Sequence, residues 1–334
     1  MRTLVTGGTG YLGRTFSNIL DQDPEIVNGG ITYLVRKTSN PEAIKRLKSK
    51  RNAKTEECSL LDIGGLEDVL KRGNYDVIFH LAAQVKGPNV YENNTSGTRN
   101  LCYALSDRQE GPRLIFVSTL ATRCLEEDGA ICSDTPYNPK TDYSKSKQEC
   151  EKIIKEYAKV GILPTIICPP AIVGPYDAEM ESTYRLIKAT GKLGFALTLG
   201  DGKNRISLIH ADDLSRALIA AAHSDETIDK TYVLFDPTLE NYTMQDYVRD
   251  IARVLHGKEI KVVGTPKKLL RLAAQVAGKN VMLTPKKIDE LTSCFACDPA
   301  EIEGFREDIS WTWRPREKIP NGIEACAKSF GLIK

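Results

Sequence analysis

The sequence has 334 residues, of which 41% are hydrophobic and 27% are charged, with 25 Gly and 16 Pro. This composition is typical of a globular protein and excludes a disordered or fibrous one. Its 46 Lys and Arg against 44 Asp and Glu leave a net charge of +2, without the basic run that nucleic acid favours, so we expect no nucleic-acid partner. The length exceeds that of one ordinary domain and predicts a main domain with a smaller companion.

The nine cysteines are widely spaced and odd in number, which favours free thiols and a cytoplasmic location. The chain starts on a strand-like run, Arg2-Thr3-Leu4-Val5, without a basic segment followed by an apolar one, so we expect no secretory signal. No apolar stretch reaches the ~18 residues of a membrane span, so no integral membrane segment is expected either. Cys294 and Cys297 form a single Cys-x-x-Cys, and because a structural zinc needs four ligands, we expect no metal.

The first 170 residues alternate short apolar runs with longer periodic or charged segments, which predicts a parallel sheet with helices on both faces. The predicted strands cover residues 3–6, 31–35, 54–58, 77–81, 114–118 and 164–168. The predicted helices between them cover residues 11–20, 41–50, 66–72, 94–106 and 142–160. The order therefore begins βαβαβ, as in an α/β protein.

After Pro169-Pro170 the pattern changes, because turns such as Gly200-Asp201-Gly202 interrupt the helical segments. The predicted helices of this part cover residues 212–223, 244–255, 267–277, 285–292 and 316–330. We predict that residues 1–170 form a doubly wound α/β domain and that residues 171–334 form a smaller, mostly helical lobe. Segments near 200–235 are expected to return to the main domain.

The predicted turn after the first strand reads Thr6-Gly7-Gly8-Thr9-Gly10-Tyr11-Leu12-Gly13. Without a Cβ atom, Gly7 can adopt the tight turn, Gly10 lets the backbone approach a pyrophosphate, and Gly13 lets the helix pack closely on the strand. Unpaired N–H groups at the helix start then bind the anion. A glycine triplet also suits a purely structural turn, but its place in a βαβ unit favours a dinucleotide-binding domain over residues 1–170.

The second predicted strand ends in Leu34-Val35-Arg36-Lys37. At this position an acidic residue typically binds the free 2′-hydroxyl of NAD, whereas a guanidinium suits the 2′-phosphate of NADP. Arg36 is therefore the predicted 2′-phosphate ligand, with Lys37 or Arg14 assisting, and NADP is the predicted cofactor. NAD remains the alternative, because a solvated basic pair at a strand end produces the same pattern.

Tyr143 and Lys147 lie one turn apart near the start of a predicted helix, so their side chains share one face, about 5–6 Å apart at Cβ. A free phenol has a pKa of ~10, and a base that works near pH 7 needs it lowered by ~3 units. A fixed ammonium beside the oxygen supplies such a shift. The pair alone is common by chance, but after a dinucleotide turn it predicts a catalytic couple.

Together these motifs resemble the extended branch of the short-chain dehydrogenase/reductase superfamily, the NAD-dependent epimerase/dehydratase superfamily, over most of the chain. The matching segments are residues 6–13, 61–62, 80–83, 94–101, 116–119, the Tyr143/Lys147 pair, 169–175 and 210–214. The resemblance implies a Rossmann-like sheet with NAD(P) bound at its carboxyl edge and a C-terminal lobe that covers a small-molecule substrate. It also implies a homodimer.

By position in these motifs, Tyr143 resembles the general acid/base of the family and Lys147 the residue that lowers its pKa and binds the nicotinamide ribose. Thr119 resembles the residue that orients the substrate oxygen, with Ser118 as its rival, and Asn94 resembles a structural asparagine. The resemblance implies further cofactor contacts from Tyr11, Leu12, Asp62, Ile63, Leu81, Ala82, Ala83 and Pro170. Substrate contacts are expected around residues 177–184 and from Lys86, Ala121 and Thr122.

The sequence leaves two functions open. Sugar-modifying members of the family typically carry a diphosphate-binding arginine four positions before the residue at His210, where this sequence has Ile206, and a one-residue shift turns Arg205 to the other face of a strand. The run at 200–207 resembles dihydroflavonol-reductase-like and 3β-hydroxysteroid-dehydrogenase-like members. We therefore expect an oxidoreductase that interconverts an alcohol and a ketone or aldehyde on a relatively apolar molecule. The alternative is a nucleotide-sugar epimerase or dehydratase that retains its NAD.

Overall fold

A computed structural model describes residues 1–106, 111–124, 129–177, 180–239, 241–276, 288–289, 292–293 and 295–334. In this part of the chain the strands are β1 (Thr3–Thr6), β2 (Ile31–Val35), β3 (Ala53–Glu57), β4 (Val77–His80), β5 (Arg113–Val117), β6 (Leu163–Cys168), β7 (Ala171–Val173), β8 (Phe195–Leu199), β9 (Leu208–His210), β10 (Lys230–Val233) and β11 (Lys261–Thr265). The helices are α1 (Tyr11–Leu20), α2 (Pro24–Gly29), α3 (Pro41–Lys48), α4 (Ile63–Gly73), α5 (Val90–Ser106), α6 (Asp142–Ala158), α7 (Glu181–Gly191), α8 (Ala211–Ala222), α9 (Met244–His256), α10 (Lys267–Val276), α11 (Ala300–Asp308) and α12 (Ile319–Ser329).

The largest sheet has seven strands in the order β10-β6-β5-β4-β1-β2-β3, all parallel. From β1 the chain adds β2 and β3 on one side and then β4, β5 and β6 on the other, so the direction of winding reverses between β1 and β4. In such sheets ligands bind at the carboxyl ends of the strands, beside this reversal. The predicted Rossmann-like, doubly wound α/β fold is therefore confirmed.

Apolar side chains fill the space between this sheet and its helices. Val5, Phe79 and Ile115, on three neighbouring strands, are fully buried, as expected for strands that are covered on both faces. Helices α4, α5 and α6 pack together as one group, and α1 packs on α8. The Phe16 ring of α1 lies 4.8 Å from that of Phe79, a contact that holds α1 against the sheet.

A second apolar core lies among α7, α9, α12 and the parallel pair of β8 and β11. Tyr184 is fully buried there, and its ring meets the edge of the Phe330 ring at 5.8 Å. By contrast, β10 pairs with β6 in the main sheet, and β9 pairs with β7. The residues after 170 therefore contribute both to the second core and to the edge of the main sheet.

The structure differs from the predicted elements at some helix starts and in three helices that the sequence analysis did not predict. Helix α4 begins at Ile63 and not at residue 66, because the Asp62 carboxylate accepts a hydrogen bond from Gly65 N at 3.1 Å and caps the helix. Helices α2, α7 and α11 are absent from the sequence prediction. Helix α2 nevertheless carries a regular start signal, since Asp23 is its N-cap and Pro24 follows.

Some predictions fall on parts of the chain outside the described residues. These are most of the predicted helix 285–292, residue 277 at the end of another predicted helix, and Cys294 of the Cys-x-x-Cys pair. None of the helices that the structure describes is both long enough and apolar enough to cross a bilayer. Over the same residues, no three His, Cys, Asp or Glu side chains are grouped as metal ligands.

Candidate active site

The turn between β1 and α1 has no room for side chains at two of its glycines. Gly7 has a φ of 78°, in the left-handed region that favours glycine, and a Cβ atom on it would lie 2.6 Å from Ala82 N. A Cβ atom on Gly13 would lie 2.2 Å from the Gly7 carbonyl oxygen. The backbone of α1 therefore packs directly on the turn, and the turn packs on the segment after β4.

The first turn of α1 leaves backbone N–H groups without helical acceptors. Gly10 is the N-cap residue and has no side chain with which to cap the helix. The first hydrogen bond of the helix runs from Arg14 N to Gly10 O at 3.0 Å, so the N–H groups of Tyr11, Leu12 and Gly13 precede the helical ladder. A helix start of this kind binds phosphate oxygens. The residues present therefore fit the pyrophosphate of a dinucleotide.

Predicted cofactor contacts from three parts of the chain lie beside this turn. Ala82 N donates to Thr6 Oγ1 at 3.3 Å, which ties the segment after β4 to the end of β1. Tyr11 Oη donates to Ile172 O at 3.2 Å, two residues after the buried Pro170. These positions therefore meet near the carboxyl ends of β1, β4 and β6.

The remaining predicted cofactor contacts differ in exposure. Asp62, expected at the adenine end, is exposed and uses one carboxylate oxygen to cap α4. Its neighbour Ile63 is 41% exposed, Leu12 is buried, Leu81 is half-buried and Ala83 is exposed. Leu12 is thus part of the packing of α1 on the sheet, whereas Asp62, Ile63 and Ala83 are accessible to a ligand.

Arginines from three elements lie near the ends of β1 and β2. Arg36 is exposed directly after β2, and the Arg14 guanidinium lies 5.1 Å from the centre of the Tyr176 ring. Arg46 of α3 donates to Gly8 O at 3.4 Å, and its buried Nε has no hydrogen-bond partner among the described residues. Burial, and then the nearby Arg14, lower the pKa of Arg46. The sequence analysis missed Arg46, because a basic residue in a helix usually lies on a solvated face.

Tyr143 and Lys147 lie on the first two turns of α6, next to the end of β5. Lys147 is 3% exposed, and its Nζ donates to Val117 O at 2.6 Å and lies 4.5 Å from the centre of the Phe116 ring. Burial lowers the pKa of Lys147 to about 8, although the nearby Glu151 carboxylate acts in the opposite direction. Tyr143 is half-buried. The ammonium is thus held at the carboxyl end of β5, on the helical face that it shares with Tyr143.

Asn94 of α5 joins the segment after β4 to the start of α6. Its Nδ2 donates to Gln84 O and to Ser146 Oγ, both at 2.9 Å, and its Oδ1 accepts from Gln84 N at 2.7 Å. Ser146 Oγ donates in turn to Tyr143 O at 2.7 Å. Asn94 therefore holds the backbone of the first turn of α6 in place relative to β4.

His80, the last residue of β4, joins β1 to α5. Its Nδ1 lies 2.7 Å from Thr6 Oγ1 and its Nε2 lies 3.1 Å from Thr98 Oγ1. Burial, followed by the positive charge of Lys147, lowers the pKa of His80 to about 3. The imidazole is therefore neutral near pH 7 and acts as a fixed hydrogen-bonding link.

The two hydroxyl residues after β5, Ser118 and Thr119, have different surroundings. Ser118 is 2% exposed, and its Oγ donates to the buried Glu151 carboxylate. Thr119 is half-buried, and its Oγ1 accepts from Ala121 N at 3.2 Å. This arrangement favours Thr119 over Ser118 as the residue that faces a substrate. Thr122, expected near the substrate, is fully buried.

The second lobe contributes fewer accessible groups than the sequence analysis expects. In the segment at 177–184, Tyr184 belongs to the second core, and residues 178–179 lie outside the described part. Ile206 is 6% exposed and packs in the same core. Arg205 Nη2 donates to Gly129 O at 3.4 Å. The position at which sugar-modifying proteins typically have an arginine is therefore apolar and buried here.

The sheet order, the glycine turn and the Tyr–Lys pair at the sheet edge define an extended short-chain dehydrogenase/reductase. The sequence model of the NAD dependent epimerase/dehydratase family matches residues 3–234. The chain belongs to this family, and the resemblance inferred from the motifs is confirmed.

Two curated relatives have different activities. A UDP-glucose 4-epimerase of Bacillus subtilis is 27% identical over 98% of this chain and 100% of its own length. A D-erythronate dehydrogenase of Haemophilus influenzae is 30% identical over 50% of this chain and 53% of its own. Among solved structures, UDP-glucuronic acid 4-epimerase from Bacillus cereus in complex with NAD matches with a TM-score of 0.75 at 20% identity, over 99% of both chains. The last likeness concerns the fold alone.

Proposed function

We propose that the protein is an NAD(P)-dependent oxidoreductase that prefers NADP and interconverts an alcohol and a ketone or aldehyde on a relatively apolar small molecule. The observation that carries the proposal is the Lys147 ammonium bound to Val117 O, one helical turn from Tyr143 and at the same sheet edge as the glycine turn. Membership of an NAD-dependent family supports the use of a nicotinamide cofactor.

When bound, the nicotinamide ring supplies or accepts a hydride at C4. In the reducing direction, Tyr143 Oη donates its proton to the substrate oxygen as the carbonyl carbon gains the hydride. In the oxidising direction, the Tyr143 phenolate accepts the alcohol proton as the hydride leaves carbon. Thr119 Oγ1 holds the substrate oxygen beside Tyr143, and the N–H groups at the start of α1 hold the pyrophosphate. Lys147 binds the ribose.

The Lys147 ammonium enables this proton transfer near neutral pH. A positive charge beside the phenol favours the phenolate, and the interaction is stronger in a buried, low-dielectric site than in water. Because its pKa is about 8, Lys147 is still protonated at pH 7. The charge that the proposed base requires is therefore present at that pH.

The preference for NADP is supported by the arginines around the glycine turn. Arg36 follows β2 directly, and Arg46 and Arg14 are close enough for one charge to lower the pKa of the other. Two guanidinium groups held near each other gain from a shared anion. An adenosine 2′-phosphate at the end of β2 supplies such an anion.

The substrate class is supported by Ile206. A nucleotide-sugar substrate brings a diphosphate that needs a cationic partner, whereas the Ile206 side chain packs in the second core. The Haemophilus influenzae relative is likewise named a dehydrogenase. We therefore propose a single hydride transfer per cycle with exchange of the cofactor.

A second candidate is a nucleotide-sugar epimerase or dehydratase, favoured by the match with the Bacillus subtilis UDP-glucose 4-epimerase over 98% of this chain. Such an enzyme keeps its NAD through turnover, whereas the proposed oxidoreductase exchanges NADP each cycle. The two are distinguished by asking whether the purified protein retains cofactor after dialysis and whether a nucleotide sugar is altered without net change in nicotinamide absorbance.

The proposal is tested by offering NADPH and NADH with a panel of apolar ketones and nucleotide sugars while following nicotinamide absorbance. With the best substrate, Tyr143→Phe is expected to lower kcat about 10³-fold, within the usual range for a general acid/base, and to leave NADPH affinity within twofold. Tyr157→Phe, on the same helix, is the matched control and should be fully active. Full activity of Tyr143→Phe would refute the assigned chemistry. Retained NAD with epimerisation would establish the second candidate.

A further inference from the structure

The carboxylate of Glu151 accepts hydrogen bonds from several segments around the proposed site. Glu151 is fully buried in α6. Its side-chain partners come from the end of β5, the turn after β5, the loop before α6 and the end of β6. They are Ser118 Oγ, Arg123 Nη2 at 3.0 Å and Tyr137 Oη at 2.8 Å, with Thr122 Oγ1 at 3.5 Å and Cys168 Sγ at 3.7 Å.

Glu151 continues the helical face on which the proposed proton-transfer residues lie. Tyr143, Lys147 and Glu151 follow one another at intervals of one turn, so their side chains lie along one side of α6. Lys147 binds Val117 O, and Glu151 binds the hydroxyl of the next residue, Ser118. Side-chain hydrogen bonds thus join two successive turns of α6 to two successive residues at the end of β5. These residues lie directly before the turn that carries Thr119.

Arg123 links Glu151 to the loop before α6. It is 1% exposed, its guanidinium pairs with Glu151, and its Nε donates to Ser133 O at 3.2 Å. Its guanidinium also lies 4.6 Å from the centre of the Tyr137 ring, in the loop that leads into α6. The turn after β5 and the loop before α6 are therefore both tied to one carboxylate.

A buried ion pair contributes little net stability to a fold. Removing two charges from water costs several kcal/mol per ion, and well-packed apolar replacements are often equally stable or better. Arg123, Glu151 and Lys147 are nevertheless all at least 97% buried, being 1%, 0% and 3% exposed. The Glu151 carboxylate opposes the deprotonation of Lys147, and a protonated Lys147 favours the Tyr143 phenolate.

The other titratable groups around Glu151 and Lys147 add no charge near pH 7. Burial raises the pKa of the thiols and the phenol among them and lowers that of the imidazole, so all are neutral near pH 7. These groups are His80 of β4, Cys102 of α5, Tyr137 of the loop, Cys150 of α6 and Cys168 of β6.

We propose that Glu151, held by Arg123, is a positioning residue for the hydride-transfer site, which keeps the turn carrying Thr119 in register with Tyr143 and supplies a negative charge one helical turn from the Lys147 ammonium. This inference rests on the proposed function, because it assigns Glu151 a part in the proton transfer of Tyr143. Glu151 itself touches neither substrate nor cofactor. It acts through Lys147 and through the end of β5.

The test is the pH at which Tyr143 ionises, measured by ultraviolet difference titration of the full chain with and without Tyr143→Phe. It needs no substrate. In Glu151→Gln, Lys147 loses the carboxylate that opposes its deprotonation, so the ammonium is lost at a lower pH. Tyr143 is then expected to ionise about one pH unit higher, which is a tenfold change in its acid dissociation constant. Glu151→Asp keeps the charge and is expected to recover most of this shift.

Arg113 offers a matched control at the opposite end of β5. It is also a buried arginine, and it donates to Ala221 O at 3.0 Å and to Ser224 O at 2.8 Å. Arg113→Gln should lower the midpoint of thermal unfolding and leave the ionisation of Tyr143 unchanged. The control separates loss of a buried arginine from loss of the Glu151 contact.

The possible outcomes separate the inference from the proposed function. A folded Glu151→Gln variant in which Tyr143 ionises as in the wild type would overturn the positioning role. A wild-type Tyr143 that ionises like a free phenol would instead contradict the proposed base itself. If Glu151→Gln does not fold, the double variant Glu151→Gln/Arg123→Met removes both charges of the pair. It should shift Tyr143 in the same direction, and an unshifted titration in it would also overturn the inference.

Discussion

The glycine turn and the junction of β5 with α6 differ in the atoms that form the site, which are backbone atoms at the turn and side-chain atoms at the junction. At the turn the backbone itself forms the site, since no Cβ atom fits at Gly7 or Gly13 and the available donors are the N–H groups at the start of α1. At the junction, the site is built from the side chains of Lys147, Glu151 and Arg123, which are buried and hydrogen-bonded.

This difference determines which amino-acid substitutions each region tolerates. A site made of backbone is damaged by a side chain added at Gly7 or Gly13, because the new Cβ atom would clash with other backbone atoms. A site made of buried charged side chains tolerates changes of shape better than changes of charge. The loss of one charged partner leaves the other charge buried and unpaired. The predictions below test this contrast, beginning with the largest expected effect.

Gly13→Ala should damage the backbone-made site most. The added Cβ atom would lie 2.2 Å from Gly7 O, so α1 must move away from the turn that it completes. We expect NADPH and NADH binding to weaken by roughly 100-fold or more, and the free energy of unfolding to fall by about 1–3 kcal/mol, as for other overpacked positions. Cofactor fluorescence titration and thermal unfolding measure the two effects.

Gly64→Ala is the matched control for this prediction. Gly64 lies in the first turn of α4, and a Cβ atom there has no neighbour within 4 Å, so the substitution should be neutral or slightly stabilising by about 0.5–1 kcal/mol. Wild-type cofactor affinity in Gly13→Ala would show that α1 can move without consequence for the site.

The contrast also explains how much the sequence could predict. The spacing of Gly7, Gly10 and Gly13 is local, and so is the interval between Tyr143 and Lys147, so both patterns are visible without the fold. The alternation of apolar runs likewise predicts six of the seven strands of the main sheet, and no end of these six differs from its predicted position by more than one residue.

The parts that the sequence could not predict depend on contacts between distant residues. Glu151 resembles any acidic residue on a helix until Ser118 and Arg123, 33 and 28 residues away, are seen to meet it. Arg46 reaches the glycine turn across 38 residues. The different surroundings of Ser118 and Thr119 also required the fold, because spacing alone does not reveal the direction of a hydroxyl at a strand end.

His80 connects the two regions, and its protonation in acid should lower the free energy of unfolding. It is hydrogen-bonded to Thr6 beside the turn and to Thr98 beside α6. With a pKa of about 3 in the fold and 6.5 when unperturbed, it binds a proton more readily in the unfolded chain. Its contribution to stability is therefore present above pH 6.5 and lost as the pH falls towards 3, by roughly 3 kcal/mol at pH 4.5.

His80→Gln removes this titration. We expect the variant to be less stable than the wild type by about 1–2 kcal/mol at pH 7, because hydrogen bonds are weakened, and to lose less stability than the wild type between pH 7 and pH 4.5. Denaturant unfolding at both pH values measures the difference. Parallel losses in the two proteins would show that His80 is not the group that links acid to unfolding.

Arg46→Ala should have the smallest effect, because it changes a side chain at a site made mainly of backbone. If Arg46 contributes to a 2′-phosphate site, its loss should weaken NADPH binding about tenfold, within the range for a hydrogen bond to a charged group, and leave NADH binding within twofold. Lys45→Ala, on the exposed side of α3, should change neither. Because Arg46 also donates to Gly8 O, an equal loss for both cofactors would mean that it supports the turn and does not select the cofactor.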